Sequence, residues 1–223
     1  MDNTQKYKTE TAYNKSVQML EQRGYHINFV EPSCNTENCP RLPCYNYSGN
    51  PKPISCETHK EETMIPIDQE YEITVLALNK KGEQIGLFII GSKFNVETIQ
   101  EYISTIRKIG LHSSIIVYRE TATPVAKKIV KELNESKDMV IELFTEEELQ
   151  YNPTEHKLYS PHEIAFKRGT PECIKFKKDH IGNLPEIYKS DAISRFFGFE
   201  RGDIIKITRR TNGFVVYRIV VDR

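Results

Sequence analysis

The sequence predicts an α+β protein of two domains: an α/β domain with a mixed sheet, then a small mixed α/β domain. Three observations carry this. Short β-branched apolar runs alternate with amphipathic helical stretches between residues 71 and 144. Asn212-Gly213 separates two apolar runs near the C-terminus. Between these regions Asn152-Pro153-Thr154-Glu155-His156 interrupts the apolar pattern, and the domains are drawn as 1–147 and 148–223.

Taken in order, residues 11–23 read as a helix with Val17, Met19 and Leu20 on an inner face, closed by Gly24. Residues 31–60 hold five prolines and four cysteines and few large aliphatics, so an irregular loop or a small separate module is expected. Tyr71 to Leu78 and Gln84 to Ile90 are two strands joined by the turn Asn79-Lys80-Lys81-Gly82. Asn95 caps a helix carrying Val96, Ile99, Ile103, Ile106 and Ile109. Ser114 to Tyr118 reads as a buried strand, Thr123-Pro124 opens a helix with Ala126, Ile129, Val130 and Leu133 on one face, and Met139 to Phe144 is a further strand. Strands alternating with helices imply partly parallel pairing. Thr145-Glu146-Glu147-Glu148 has the form of a capping box. The second domain is expected to hold irregular structure, a helix near 191–197 ended by Gly198, and strands near 203–208 and 214–221 flanking Arg209 to Gly213.

Composition narrows the function. The chain has 31 basic and 31 acidic side chains and is 38% hydrophobic, enough for real cores. Residues 1–150 hold 17 basic and 22 acidic groups, a balance of −5, and residues 151–223 hold 14 and 9, a balance of +5. Such a chain lacks the concentrated positive field of a general nucleic-acid binder, so contact with nucleic acid should be local. No apolar run approaches the ~20 residues of a membrane span. The polar start, Met1 to Lys6, lacks a secretory apolar stretch, and a soluble intracellular protein with no membrane partner is expected.

Five groups of residues are weighed for chemistry. At Thr123, Pro124, Val125, Ala126, Lys127 and Lys128 a helix start with free amides and two lysines suits one or two phosphates; an ordinary cap with solvated lysines is the plainer reading. Cys34, Cys39, Cys44 and Cys56 crowd a proline-rich loop as Cys-x4-Cys-x4-Cys-x11-Cys, with His59 following as Cys-x2-His. In a reducing compartment this suggests a structural zinc held by the four cysteines, with His59 as alternative ligand; unliganded thiols are the other reading. Asp68, Glu70 and Glu72 precede or begin a strand, but no Glu-x-Lys follows as a metal-dependent nuclease requires. The six histidines are scattered, with no Ser or Cys nucleophile in a recognisable elbow beside one, so no catalytic residue is assigned. Arg195, Arg201, Arg209, Arg210 and Arg218 make the second domain positive without a recognition-helix pattern, which favours docking on an acidic protein partner.

Leu184-Pro185-Glu186-Ile187, then Asp191 to Phe199, then Arg201-Gly202-Asp203-Ile204-Ile205-Lys206-Ile207, then Gly213 to Val220, fall in one order. Together they resemble the C-terminal assembly domain of the fifth subunit of eukaryotic DNA-directed RNA polymerases, a domain with a counterpart in the archaeal enzyme. Met19 to Tyr25 and the α/β stretch resemble that subunit's N-terminal jaw domain, and the resemblance stops over residues 31–60. It implies a non-catalytic polymerase subunit that takes no small-molecule substrate and works with the largest subunit and the other subunits. Arg195, Arg201, Tyr217 and Arg218 would be interface residues, and Thr123-Pro124-Val125-Ala126, with Lys127 and Lys128, would approach downstream duplex DNA. No cofactor is required by such a role. Location would be the nucleus for a eukaryotic source, or host cytoplasm or virion for a large DNA virus. A freestanding zinc-containing DNA-binding transcription regulator and a metal-dependent nuclease are the alternatives.

Overall fold

The computed structural model describes the chain except residues 1, 2, 37, 38, 40, 41, 44, 49–52, 57, 67–71, 92, 93, 120, 137, 181–183 and 223, with backbone alone at 3, 4, 6, 45, 46, 65 and 66. The fold is α+β, and the chain forms two compact units, Met1–Gln150 and Tyr151–Arg223.

The first unit opens with α1 (Asn3–Gln22), longer than the expected 11–23, and β1 (Tyr25–Glu31), a strand not expected from the sequence. Residues 32–72 follow; among those described, the two-residue strands β2 (Tyr45–Asn46) and β3 (Ile65–Pro66) pair antiparallel. Then come β4 (Ile73–Asn79), β5 (Gln84–Ile90), α2 (Val96–Ile109), β6 (Ser113–Tyr118), α3 (Pro124–Ser136) and β7 (Val140–Thr145). The five long strands form one sheet in the order β1-β4-β5-β6-β7. The pairs β1–β4 and β4–β5 are antiparallel, while β5–β6 and β6–β7 are parallel, each pair bridged by a helix. That is the mixed sheet expected of apolar runs buried on both faces.

Alternation along the strands assigns the two faces. Phe88, Ile90, Ile116, Tyr118 and Ile141 join Ile99, Tyr102, Ile103 and Ile106 of α2 and Ala126 and Val130 of α3 in one core. Val75, Leu87, Ile89, Ile115 and Val117 are buried on the opposite face, and Met19 and Leu20 of α1 are fully buried as well. Arg23, just past α1, clasps Glu142 of β7 at 2.7 and 2.8 Å. Nearer the helix start, Gln5 and Thr9 donate to the buried Glu146, which also pairs with Arg119 at 3.4 Å. Asn95 caps α2 by accepting from Thr98 N at 2.8 Å, and Gly110 ends it at φ 80°, where a side chain would be strained. The capping box forms, with Glu148 N donating to Thr145 Oγ1 and Thr145 N to the Glu148 carboxylate, but it opens turns and no helix.

The second unit contains a 3-10 turn at Pro153–Glu155, β8 (His162–Phe166), α4 (Pro171–Asp179), β9 (Glu186–Tyr188), α5 (Ala192–Phe197), β10 (Ile204–Thr208) and β11 (Val215–Val221). Irregular structure is the sequence expectation before residue 191; β8, α4 and β9 correct it. Thr170 caps α4 through Cys173 N, and Pro171 starts it. The sheet runs β8-β10-β11-β9, antiparallel except for β11–β9. One face carries Ile187, Ile205 and Val220 against Ile193 and Phe197 of α5. On the other, the Phe176 ring of α4 lies 4.8 Å from Phe166 and 5.1 Å from Tyr217. Asp203 is fully buried and ties the residues just past β8 to the turn before β10, accepting from Arg168 N (2.8 Å), Glu200 N (3.0 Å) and Lys167 Nζ (3.0 Å).

Candidate metal centre and interaction surfaces

The region between β1 and β4 brings four potential ligands into one cluster. The ligand atoms of Cys34, Cys39, Cys56 and His59 all lie within 4.8 Å of one another. Cys39 Sγ is 3.7 Å from Cys56 Sγ, and His59 Nδ1 is 3.6 Å from Cys34 Sγ and 3.4 Å from Cys56 Sγ. Local backbone contacts hold this shape: Asn35 N donates to Ile54 O at 2.8 Å, and His59 N to Cys56 O at 3.1 Å. Cys34 and Cys56 are buried, Cys39 half-buried and His59 exposed. Burial pushes the Cys34 thiol up, but hydrogen bonds from Thr36 and Cys56 outweigh it and bring the group down to about 7. At Cys56 burial likewise pushes up, and hydrogen bonds from Thr58, His59 and Cys39 take the thiol below its ordinary value.

Three thiols and one imidazole suit a soft, tetrahedral metal such as zinc. Of the residues singled out for it, Cys34, Cys39, Cys56 and His59 come together, while Cys44 lies outside the described residues. Read without Cys44 the spacing becomes Cys-x4-Cys-x16-Cys-x2-His, a signal available in the sequence. Among the described residues no second cluster of three or more His, Cys, Asp or Glu could hold a metal. Of the nuclease candidates, Asp68 and Glu70 lie outside the described residues and Glu72 is exposed just before β4.

At the α3 start, Thr123 Oγ1 accepts from Ala126 N at 3.3 Å, and Pro124 occupies the first helical position. Ala126 is buried under the helix, Val125 is 57% exposed, and Lys127 and Lys128 reach solvent, Lys128 lying 3.8 Å from Glu132.

In the second unit a groove of about 500 Å³ is lined by Tyr159, His162, Ile193, Ile207, Arg209 and Arg218, among others. His162 Nδ1 is 2.6 Å from Ser160 O. Burial lowers the His162 imidazole below its usual value; the Ser160 carbonyl and Asp191 oppose this, and Arg218 adds to it. Arg218 Nη1 donates to Glu186 O at 3.2 Å, whereas its buried Nε has no hydrogen-bond partner among the described residues. Of the four expected interface residues, Arg218 lines this groove. Tyr217 points to the opposite sheet face against Phe176, Arg195 sits on α5, and Arg201 pairs with Asp222 at 3.3 Å. Sequence reasoning does not find His162 and Arg209 as groove residues, because no local motif joins them.

Residues 151–220 match the family described as RNA polymerase Rpb5, C-terminal domain. The subunit rpabc1 of DNA-directed RNA polymerases I, II, and III from Dictyostelium discoideum is 32% identical over 132 residues, covering 58% of this chain and 67% of that protein. The chain belongs to the RNA polymerase subunit 5 family. RPABC1 of Caenorhabditis elegans, another family member, is 28% identical over 156 residues, covering 67% of this chain and 73% of its own. The subunit 5-like protein 1 of Arabidopsis thaliana aligns over 203 residues at 27% identity, covering 86% of this chain and 84% of its own. The first unit carries a second match: residues 34–68 fit the family described as the EsV-1-7 cysteine-rich motif, which spans all four clustered ligands.

Proposed function

We propose that this chain is a non-catalytic subunit of a multisubunit DNA-directed RNA polymerase. Residues 148–223 anchor it to the largest subunit as an assembly domain, and residues 1–147 form part of the lower jaw beside downstream DNA. The observation that carries this is the match over residues 151–220, which falls within one compact unit and contains all four ordered motifs. Nucleotide addition belongs to the large subunits. A zinc held by the three-cysteine, one-histidine cluster would be structural and take no part in that step.

The groove on the second unit is the anchoring surface this reading favours. Ile193 and Ile207 give it an apolar floor, and Arg209 and Arg218 give it positive charge. A buried guanidinium N–H without an acceptor is completed when a partner supplies one. The occupant is therefore an extended, apolar and acidic segment of the largest subunit. On the jaw, Thr123 to Lys128 approach the DNA, a reading supported by the exposed lysines at the start of α3, where amides and lysines would make backbone contacts without sequence readout. For a eukaryotic source the protein works in the nucleus; encoded by a large DNA virus, it works in host cytoplasm or travels in the virion.

Reconstitution of the full chain with the large subunits tests the proposal. The unaltered chain should join the complex, and Arg218→Glu should not, while keeping its circular dichroism spectrum. Indifference of assembly to Arg218→Glu and Ile207→Asp together would refute the anchoring role of the groove. Tight DNA binding by the isolated chain, abolished by metal removal, would favour a freestanding regulator instead.

A further inference from the structure

We propose that Cys34, Cys39, Cys56 and His59 form a closed, four-ligand zinc site whose ion folds the insertion between β1 and β4, and that Cys44 is not a ligand. The two strands are antiparallel neighbours, with Glu31 opposite Thr74, yet 41 residues separate them. Hairpin connections usually take about 2–5 residues. A loop this long costs closure entropy and must find its own source of order.

Among the described residues its own apolar packing is thin. Among the described residues of the insertion, Leu42, Pro43 and Pro53 are the buried apolar side chains other than cysteine. Segments below about 40 residues generally need a disulfide or a metal to hold a fold. A disulfide does not account for the arrangement. Cys39 Sγ and Cys56 Sγ stand 3.7 Å apart, against about 2.05 Å in a bonded pair. Joining them would leave Cys34 and the His59 nitrogen converging on nothing.

A tetrahedral ion accounts for all four. With Zn–S near 2.3 Å and Zn–N near 2.0 Å, ligand atoms around one zinc stand about 3.8 Å apart for two sulfurs and about 3.5 Å for sulfur and nitrogen. The structure shows 3.7 Å between Cys39 and Cys56, and 3.6 and 3.4 Å from His59 Nδ1 to Cys34 and Cys56. Thiolates and imidazole select against calcium and magnesium, which take oxygen ligands. Four protein atoms complete the shell, so no position remains for a catalytic water or for a fifth ligand from Cys44. The ion thus ties the start of the insertion, three residues past β1, to a segment more than 20 residues on.

The test is elemental analysis of the full-length protein, purified without a metal-binding tag. One zinc per chain is expected, and cobalt in its place should show the visible bands of a tetrahedral thiolate site. Cys34→Ser, Cys39→Ser, Cys56→Ser and His59→Ala should each lose the metal, while Cys44→Ser and Cys173→Ser retain it. Hydrogen exchange guards against variants that simply misfold: amides in 34–59 should lose protection on metal removal, with those of β5 and β6 unchanged. Zinc absent from the unaltered protein, lost from Cys44→Ser, or kept by His59→Ala would each overturn the assignment. The readout is the metal itself, so this site and the polymerase role can fail independently.

Discussion

Replacing Asp203 by alanine should loosen the second unit and leave the first intact. The buried carboxylate accepts from the amides of Arg168 and Glu200 at 2.8 and 3.0 Å and from Lys167 Nζ at 3.0 Å. Hydrogen bonds to a charged group contribute about 1.5–3 kcal/mol each. The Lys167 side chain is 47% exposed, so solvent screens that pair and it adds little. The two amide bonds share one side chain and do not add fully. Their joint loss should therefore cost about 3–4 kcal/mol. At about 1.4 kcal/mol per tenfold, amides protected by opening of the second unit should exchange roughly 100- to 1,000-fold faster. Hydrogen exchange on the full chain reads this directly in β10 and β11, with β5 and β6 as internal controls. Asp203→Asn keeps the volume and one acceptor oxygen and should fall between alanine and the unaltered protein. An alanine effect below about tenfold in β10 and β11 would refute the reasoning, because it would mean that water satisfies those amides as well as the carboxylate does.

Arg23→Ala removes a two-pronged clasp on Glu142 from a side chain only 6% exposed, and thermal unfolding should show a loss of about 2–3 kcal/mol; Arg23→Lys, unable to reach both oxygens, should lose about half of that. A Cβ on Gly86 would lie 2.6 Å from Leu111 Cδ1 and 2.9 Å from the Phe88 ring, so Gly86→Ala should cost about 1–3 kcal/mol by the same measurement. His162 is held below its ordinary value of 6.5, so the folded chain takes up its proton less readily than the unfolded one. Stability should therefore fall as pH drops below about 6.5, and His162→Gln should flatten that part of the profile in urea titrations at stepped pH.

The helices with an apolar stripe and a clear cap are legible in the sequence. At α2 the Asn95 cap, the isoleucine spacing and Gly110 all agree, and α5 is bounded by Asp191 and Gly198 as its residues suggest. The parallel strands are legible because burial on both faces leaves nearly unbroken apolar runs. Elsewhere the signals are weaker. β1 is an edge strand with one side largely exposed, so Tyr25, Ile27 and Phe29 alternate with polar neighbours in only part of its length. α4 carries a single buried residue, Cys173, and without a stripe its Thr170-Pro171 start looks like a loop. The metal cluster is legible in its residue types and in Cys34, Cys39, Cys56 and His59, all singled out from the sequence; that Cys56 and His59 reach the other thiols depends on the fold. Groove membership at His162 and Arg209 follows from sheet register, which no local pattern encodes.

Affinity purification of the tagged full-length chain from its source cells, followed by mass spectrometry, tests the polymerase role most directly. The two largest polymerase subunits should be recovered in amounts equal to the tagged chain and survive a wash at moderate salt. Recovery of the chain alone, or with partners that include neither large subunit, would contradict the account.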